Sequence, residues 1–116
     1  ARLCGLGCAL ATSGPGGTNL VTGIAAAYYD SVPVIYLVGQ VTKGRLTSNF
    51  ERPPRQYGFQ ETPIVDMVKG ITKYAVEPGR AEDVMPAMRK AVRIAKEGRH
   101  GPVLISICDD FQRAEI

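Results

Sequence analysis

The residues best suited to chemistry form a glycine-rich turn at residues 11–19, which read ATSGPGGTN. Three glycines and a proline force a tight bend, and backbone N–H groups there are not screened by bulky side chains. An uncharged segment, residues 7–11, precedes the turn and is typical of a buried strand, while a helix is expected after it. Open α/β sheets bind ligands where a strand ends and a helix begins. The same kind of turn also serves compactness alone, so both interpretations stand at this point.

The segment after the turn predicts a strand–helix–strand unit. Apolar residues recur at helical spacing at Leu20, Ile24, Ala27 and Tyr28. Pro33 cannot continue that helix. Residues 34–38 are continuously apolar, which is typical of a strand buried on both faces of a parallel sheet. We therefore expect an α/β fold, with a parallel sheet and helices on both faces.

Residues 41–58 break this regular pattern. They are polar and aperiodic, carry several charges and contain the pair Pro53 and Pro54. A loop of this length inside a compact domain is usually functional or mobile, although it is also compatible with a tolerated surface insertion.

The remaining elements alternate in the same way. Thr62 as N-cap and Pro63 at the first position predict a short helix over 64–68. A brief strand is expected at 74–76, and an amphipathic helix at 82–97 with Val84, Ala87, Met88, Ala91, Val92 and Ala95 on its apolar stripe. A last buried strand follows at 103–107, and residues 109–116 are predicted to begin a linker.

Composition excludes several classes of protein. The only charges in the first forty residues are Arg2 and Asp30, so that third is expected to be buried by this chain or by a partner. The basic residues elsewhere are interleaved with acids, which argues against a nucleic-acid surface, and no apolar run is long enough for a membrane span. The three cysteines, Cys4, Cys8 and Cys108, lack metal-site spacing, and we expect a reducing, cytoplasmic location.

Four motifs in order resemble one family, the thiamine-diphosphate enzymes of the acetolactate synthase group. The glycine-rich turn with the residues up to Ala25 is similar to that group's signature. The other matches are SVPV at residues 31–34 together with GQV at 39–41, then FQET at 59–62, and then GRHGPVL at 98–104. The resemblance covers nearly the whole chain and implies most of an N-terminal pyrimidine-binding (PYR) domain over residues 1–116, truncated at its N-terminal side.

The resemblance implies roles for individual residues. Pro15 and Asn19, with the small neighbours Gly14 and Gly16, are similar to residues that contact the aminopyrimidine ring. Gln60 resembles a catalytic glutamine near the reactive side of the cofactor. Two further matches are Phe59, to an aromatic beside the substrate channel, and Arg99, to an arginine that contacts the flavin in members that keep FAD.

The resemblance also implies partners that the chain does not itself supply. Thiamine diphosphate would be shared with another subunit of a homo-oligomer, whose diphosphate-binding domain holds Mg²⁺, and the substrate would be a 2-keto acid. The family's essential glutamate lies upstream of the matched region, and Glu51 and Glu61 are not placed to replace it. We therefore expect a piece of a longer enzyme that is inactive alone.

Other functions remain open from the sequence. The loop before Phe59 is longer than in an ordinary acetolactate synthase, and Thr42 stands where many members have proline, so a donor or acceptor other than pyruvate stays open. A decarboxylase or lyase of the same superfamily is one alternative. The others are a phosphate- or nucleotide-binding module that uses the turn at residues 13–19, and a non-catalytic assembly fragment.

Overall fold

A single parallel sheet organises the fold. The structure, a computed structural model, describes residues 1–115. Its strands are β1 (Gly7–Ala11), β2 (Val34–Gln40), β3 (Tyr74–Val76) and β4 (Val103–Cys108), in the spatial order β1-β2-β4-β3 with every pair parallel. Because the strands are parallel, their carboxyl ends share one edge of the sheet.

Helices cover both faces of this sheet, which confirms the predicted α/β class. On one face, Tyr36, Val38 and Leu104 pack against helix α2 (Val21–Tyr29) and helix α3 (Ile64–Val68). On the other face, the buried residues that meet helix α4 (Val84–Lys96) are Ile35, Val103 and Ile105, packed against Ala91 and Ala95. No helix within residues 1–115 is long and apolar enough to cross a membrane.

Strand β1 is less buried than the sequence predicts. Its side chains alternate, so that Cys8 is exposed and Leu10 retains 79% of its accessible surface, while Ala9 packs against the core. The reason is that β1 is an edge strand and α4 packs against β2 and β4 instead. The expectation of a fully buried first strand is therefore wrong for one of its two faces.

The first predicted helix is confirmed as α2, and an additional short helix lies before it, within the segment predicted as a turn. Helix α1 (Pro15–Asn19) is one short turn, and α2 begins after Leu20, which is the C-cap of one and the N-cap of the other. Gly17 lets α1 approach the sheet, since a Cβ at Gly17 would lie 2.8 Å from Val38 Cγ1.

The other helices differ from prediction mainly at their ends. Helix α3 starts at Ile64 after Pro63, and the Thr62 side chain bonds the Gln60 carbonyl instead of capping the helix. A 3₁₀ turn (Ala81–Asp83) precedes α4. Within α4, Val92 was expected on the apolar stripe but is exposed, and Ile94 packs toward the sheet instead.

Residues after β4 begin as a short helix, and the start of a linker expected over 109–116 stays a prediction. Helix α5 (Asp109–Gln112) follows the strand directly, and its Gln112 Nε2 donates to the Ile107 carbonyl at 2.8 Å. Residues 113–115 are exposed, and residue 116 lies outside the described part of the chain.

Candidate functional site

The glycine-rich turn lies at the carboxyl-end edge of the sheet, as its position after β1 requires. Ala11 ends the strand, Gly14 has a positive φ of 57°, and Pro15 begins α1. Pro15 and Asn19 stand four residues apart on α1, which puts them on one helical face, and both side chains are exposed. The turn therefore presents a short, accessible face that carries a proline ring and an amide.

Gln60 packs directly against this turn. A Cβ built on Gly14 would lie 2.7 Å from Gln60 Cβ and 2.8 Å from the Gln60 carbonyl oxygen, closer than real Cβ atoms approach. Gln60 itself has a φ of 60°, in the left-handed region that non-glycine residues rarely adopt. Two positions with positive φ, far apart in sequence, are thus in contact, which joins the turn to the FQET segment.

This contact explains why residue 14 has no side chain, and the explanation differs from the expected one. From the sequence, a cofactor ring was expected to lie beside Gly14 and Gly16. In the structure, Gly14 is buried under Gln60, and a Cβ on Gly16 would lie 2.7 Å from Thr12 Cγ2. The cofactor contacts expected of these two glycines stay predictions. Pro15, Asn19 and the half-buried Gln60 are the residues whose side chains a ligand could reach.

Phe59 lies at the rim of a cavity of about 1150 Å³ at the same edge of the sheet. Its side chain is 81% exposed. Other parts of the cavity lining come from the turn, the end of β2, the start of the long loop and α5, and include Thr12, Ser13, Gln40, Arg45 and Phe111. The structure therefore brings Phe59 to the cavity beside the glycine turn, and its role in a substrate channel stays a prediction.

Glu61 is the residue near the turn whose contacts the sequence analysis does not predict. Its carboxylate accepts the Thr47 N–H and hydroxyl, each at 2.7 Å, and the N–H groups of Tyr57 and Gly58 at 3.4 and 3.3 Å. Desolvation raises the pKa of Glu61, but these hydrogen bonds together outweigh it and lower the pKa below its ordinary value of 4.5. Its adjacency to Gln60 was the one available signal.

A polar cluster holds the ends of β2, β4 and the segment after β3 together. Gln40, 6% exposed, donates from Nε2 to the Thr62 carbonyl at 2.9 Å and to Glu77 Oε2 at 3.4 Å. The buried Ser106 hydroxyl donates to the same Glu77 oxygen at 3.1 Å.

Burial chiefly, together with Glu77 and Asp110, raises the pKa of Cys108 to about 12, so that thiol stays protonated and unreactive near neutral pH.

Arg99 is not brought to this edge. It precedes β4 and so lies at the amino-end edge, where Nε donates to Ser31 Oγ at 2.7 Å and Nη2 to the Tyr29 carbonyl at 3.3 Å. The neighbouring His100 is exposed. The flavin contact expected of Arg99 therefore concerns a region separate from the glycine turn, and it stays a prediction.

The turn is poorly suited to act as an anion cradle. Helix α1 has only five residues, too few to build a substantial dipole. The Gly16 N–H donates to the Ser13 carbonyl at 3.3 Å and the Thr18 N–H to the Gly14 carbonyl at 3.0 Å, so these donors are already used. In residues 1–115, no three His, Cys, Asp or Glu side chains are grouped to hold a metal ion.

The accessible residues do fit an aminopyrimidine. A flat heteroaromatic ring needs an apolar surface and groups that donate and accept hydrogen bonds, which the exposed Pro15 ring and Asn19 amide supply. The Asn19 amide is exposed, so a ligand at this face could pair with it.

Comparison with known proteins gives a consistent family. Residues 1–68 match the family model described as thiamine pyrophosphate enzyme, N-terminal TPP binding domain. The chain is 42% identical over 107 residues to acetolactate synthase 2, chloroplastic, of Nicotiana tabacum, with 92% of this chain and 15% of that protein covered. It is 39% identical over 105 residues to the acetolactate synthase large subunit of Haemophilus influenzae, with 90% of this chain and 17% of that protein covered. The chain therefore spans about a sixth of the length of these relatives.

Proposed function

Since this chain belongs to the thiamine pyrophosphate enzymes and matches their N-terminal TPP-binding domain, we propose that its full-length protein is an acetolactate synthase-like enzyme. The proposed reaction is decarboxylation of a 2-keto acid and transfer of the two-carbon unit to an acceptor. The observation that carries it is the Gly14–Gln60 contact, which joins the two motifs that the family resemblance assigns to the cofactor.

The proposed ligand of the turn is the aminopyrimidine ring of thiamine diphosphate. Pro15 would pack against the ring and the Asn19 amide would donate and accept hydrogen bonds at its polar edge. Gln60, held by its contact with Gly14, would direct its own amide to the reacting side. The bound cofactor supplies the carbanion chemistry, while these residues orient it.

The rest of the active site is proposed to come from outside residues 1–116. It comprises the essential glutamate and a domain of another subunit that binds Mg²⁺ and the diphosphate, so the isolated chain is proposed to be inactive and the protein to be a homo-oligomer. FAD at Arg99 and a cytoplasmic location are proposed on the same basis.

Calorimetric titration of the full-length protein tests the cofactor. Thiamine diphosphate with Mg²⁺ is expected to bind, whereas ATP and NAD are not. Asn19→Ala should weaken cofactor binding by about tenfold, which corresponds to about 1.4 kcal/mol for the loss of a hydrogen bond. Binding of ATP in preference to thiamine diphosphate would identify a nucleotide-binding module instead.

Product analysis with pyruvate tests the reaction. Acetolactate is the expected product, and Gln60→Ala should lower kcat by at least about tenfold if Gln60 contacts reacting atoms. Gln56→Ala, an exposed glutamine on the nearby loop, is the matched control and should leave kcat unchanged. Acetaldehyde without acetolactate would instead identify a simple decarboxylase.

A further inference from the structure

The two oxygens of the Glu61 carboxylate hold two different parts of the long loop. Oε1 accepts the N–H and the hydroxyl of Thr47, on the outgoing part of the loop. Oε2 accepts the N–H groups of Tyr57 and Gly58, where the loop returns. One side chain therefore closes the neck of residues 47–58.

Other contacts support the same closed neck. The rings of Phe50 and Tyr57 meet edge to face with centroids 4.9 Å apart. Gly58 is buried so tightly that a Cβ there would lie 2.7 Å from Val41 Cγ2 and 2.9 Å from the Arg45 carbonyl oxygen. Residues 51–56 protrude beyond this neck and are exposed.

A second carboxylate anchors the start of the loop. Asp110 of α5 accepts the Lys43 N–H at 3.1 and 3.2 Å, and the Lys43 carbonyl accepts Asn49 Nδ2 at 2.8 Å. The loop is thus fixed at its base by Asp110 and at its neck by Glu61. Only the Glu61 anchor is adjacent to Gln60.

We propose that Glu61 is a positioning residue, whose carboxylate fixes the loop at residues 42–58 against the Phe59–Gln60 corner and so shapes the substrate entrance. The inference rests on the proposed function for the role of that entrance. Phe59 lies at the cavity rim, and Gln60 keeps its left-handed backbone while it packs on Gly14. A non-glycine residue keeps a positive φ only when the surrounding structure holds it there. The hydrogen bonds of Glu61, the next residue after Gln60, supply such support.

The geometry requires a carboxylate at this position. All four groups that face Glu61 are donors, so an ionised carboxylate satisfies each of them. In Glu61→Gln, the amide nitrogen would face either the Thr47 donors or the Tyr57 and Gly58 N–H groups, and one side of the neck would lose its acceptor. In Glu61→Asp, the shorter side chain could not reach both sides at once.

The test compares Glu61→Gln with Glu51→Gln in the full-length protein. Glu51 is exposed on the same loop and loses the same charge in its variant. For Glu61→Gln we expect kcat/KM for pyruvate to fall by about tenfold or more, because small displacements of positioning groups are costly. Thiamine-diphosphate affinity should stay within about twofold of the wild-type value, since Pro15 and Asn19 lie on a separate element.

A third variant and a structural readout complete the design. Thr47→Val should lower kcat/KM in the same direction but by less, because it removes the hydroxyl donor to Glu61 and keeps the Thr47 N–H. Hydrogen exchange at residues 47–58 should rise in Glu61→Gln and not in Glu51→Gln.

The outcomes separate the two proposals. Equal kcat/KM values for Glu61→Gln and Glu51→Gln would overturn the positioning role, and so would a fall in cofactor affinity as large as the fall in kcat/KM. A wild-type protein without thiamine-diphosphate-dependent activity would overturn the proposed function. In that case hydrogen exchange still decides whether Glu61 holds the loop, and unchanged exchange in Glu61→Gln would overturn that as well.

Discussion

At the residue scale, the site depends on two positions with left-handed backbone that touch each other. The sequence indicates why Gly14 is suited to such a backbone, because its turn needs a residue without a side chain. It does not indicate that Gln60 also has a positive φ or that it fills the space above Gly14. That contact joins segments distant in the chain, so only folding determines it.

Replacing Gly14 tests this contact. In Gly14→Ala the methyl group would meet Gln60 Cβ and its carbonyl oxygen at 2.7 and 2.8 Å, on a backbone that already has positive φ. We expect the free energy of unfolding to fall by about 1–3 kcal/mol, measured by hydrogen exchange. We also expect a clear loss of cofactor affinity, measured by titration with thiamine diphosphate. Gly44→Ala is the control, because nothing lies within 4 Å of its new methyl group.

The lowered pKa of Glu61 predicts how the loop responds to acid. Because the folded-state pKa lies below the ordinary value of 4.5, the stabilisation is complete above pH 4.5. It is lost as the pH falls from there through the folded-state pKa. Exchange at the Thr47 and Gly58 amides, corrected for intrinsic rates, should therefore rise below pH 4.5 in the wild type. Glu61→Gln should show high exchange without this pH step, and a step of equal size in that variant would contradict the assignment.

At the scale of elements, helix α4 is the part that the sequence predicts best. Its apolar stripe identifies the buried Ala87, Ala91 and Ala95, whereas Val92 is exposed because the sheet lies closer to Ile94. Lys73, just before β3, donates to the carbonyls of Ile94 and Glu97 and so satisfies the end of the helix. Periodicity locates the helical face, but this distant cap could not be predicted from it.

The small residues of α4 set its distance from the sheet. In Ala91→Leu, a larger side chain would enter the fully buried contact with Ile35, Val103 and Ile105. We expect the free energy of unfolding to fall by about 1–3 kcal/mol, measured from the urea dependence of hydrogen exchange at β4 amides. Arg89→Leu places the same side chain on the exposed face and should have little effect.

At the scale of the whole molecule, the sheet is covered unevenly. The outer side of β1 exposes Cys8 and Leu10, whereas the central strand β4 is almost entirely buried. The first third of the chain, which carries no net charge, is therefore only partly buried by the described residues. Its two charged side chains, Arg2 and Asp30, pair with each other at the surface at 3.3 Å.

Thiol reactivity reports this uneven coverage. In the 116-residue chain, Cys4 and Cys8 should react rapidly with a maleimide at neutral pH, because both are exposed. Cys108 should react only after unfolding, since it is buried and burial raises its pKa to about 12. Cys8→Ser should remove one of the two fast-reacting groups. Equal rates for all three thiols would contradict the fold.

By itself, the sequence determined the α/β class, the existence of all four strands and the family, because each depends on local patterns. Continuous apolar runs indicate buried strands, helical spacing indicates the face of α4, and ordered motifs carry the resemblance. Tertiary structure alone decided the exposed side of β1, the Gly14–Gln60 contact and the four hydrogen bonds at Glu61. The physical reason is that these features depend on which distant segments meet, and such contacts leave no periodic pattern in the chain.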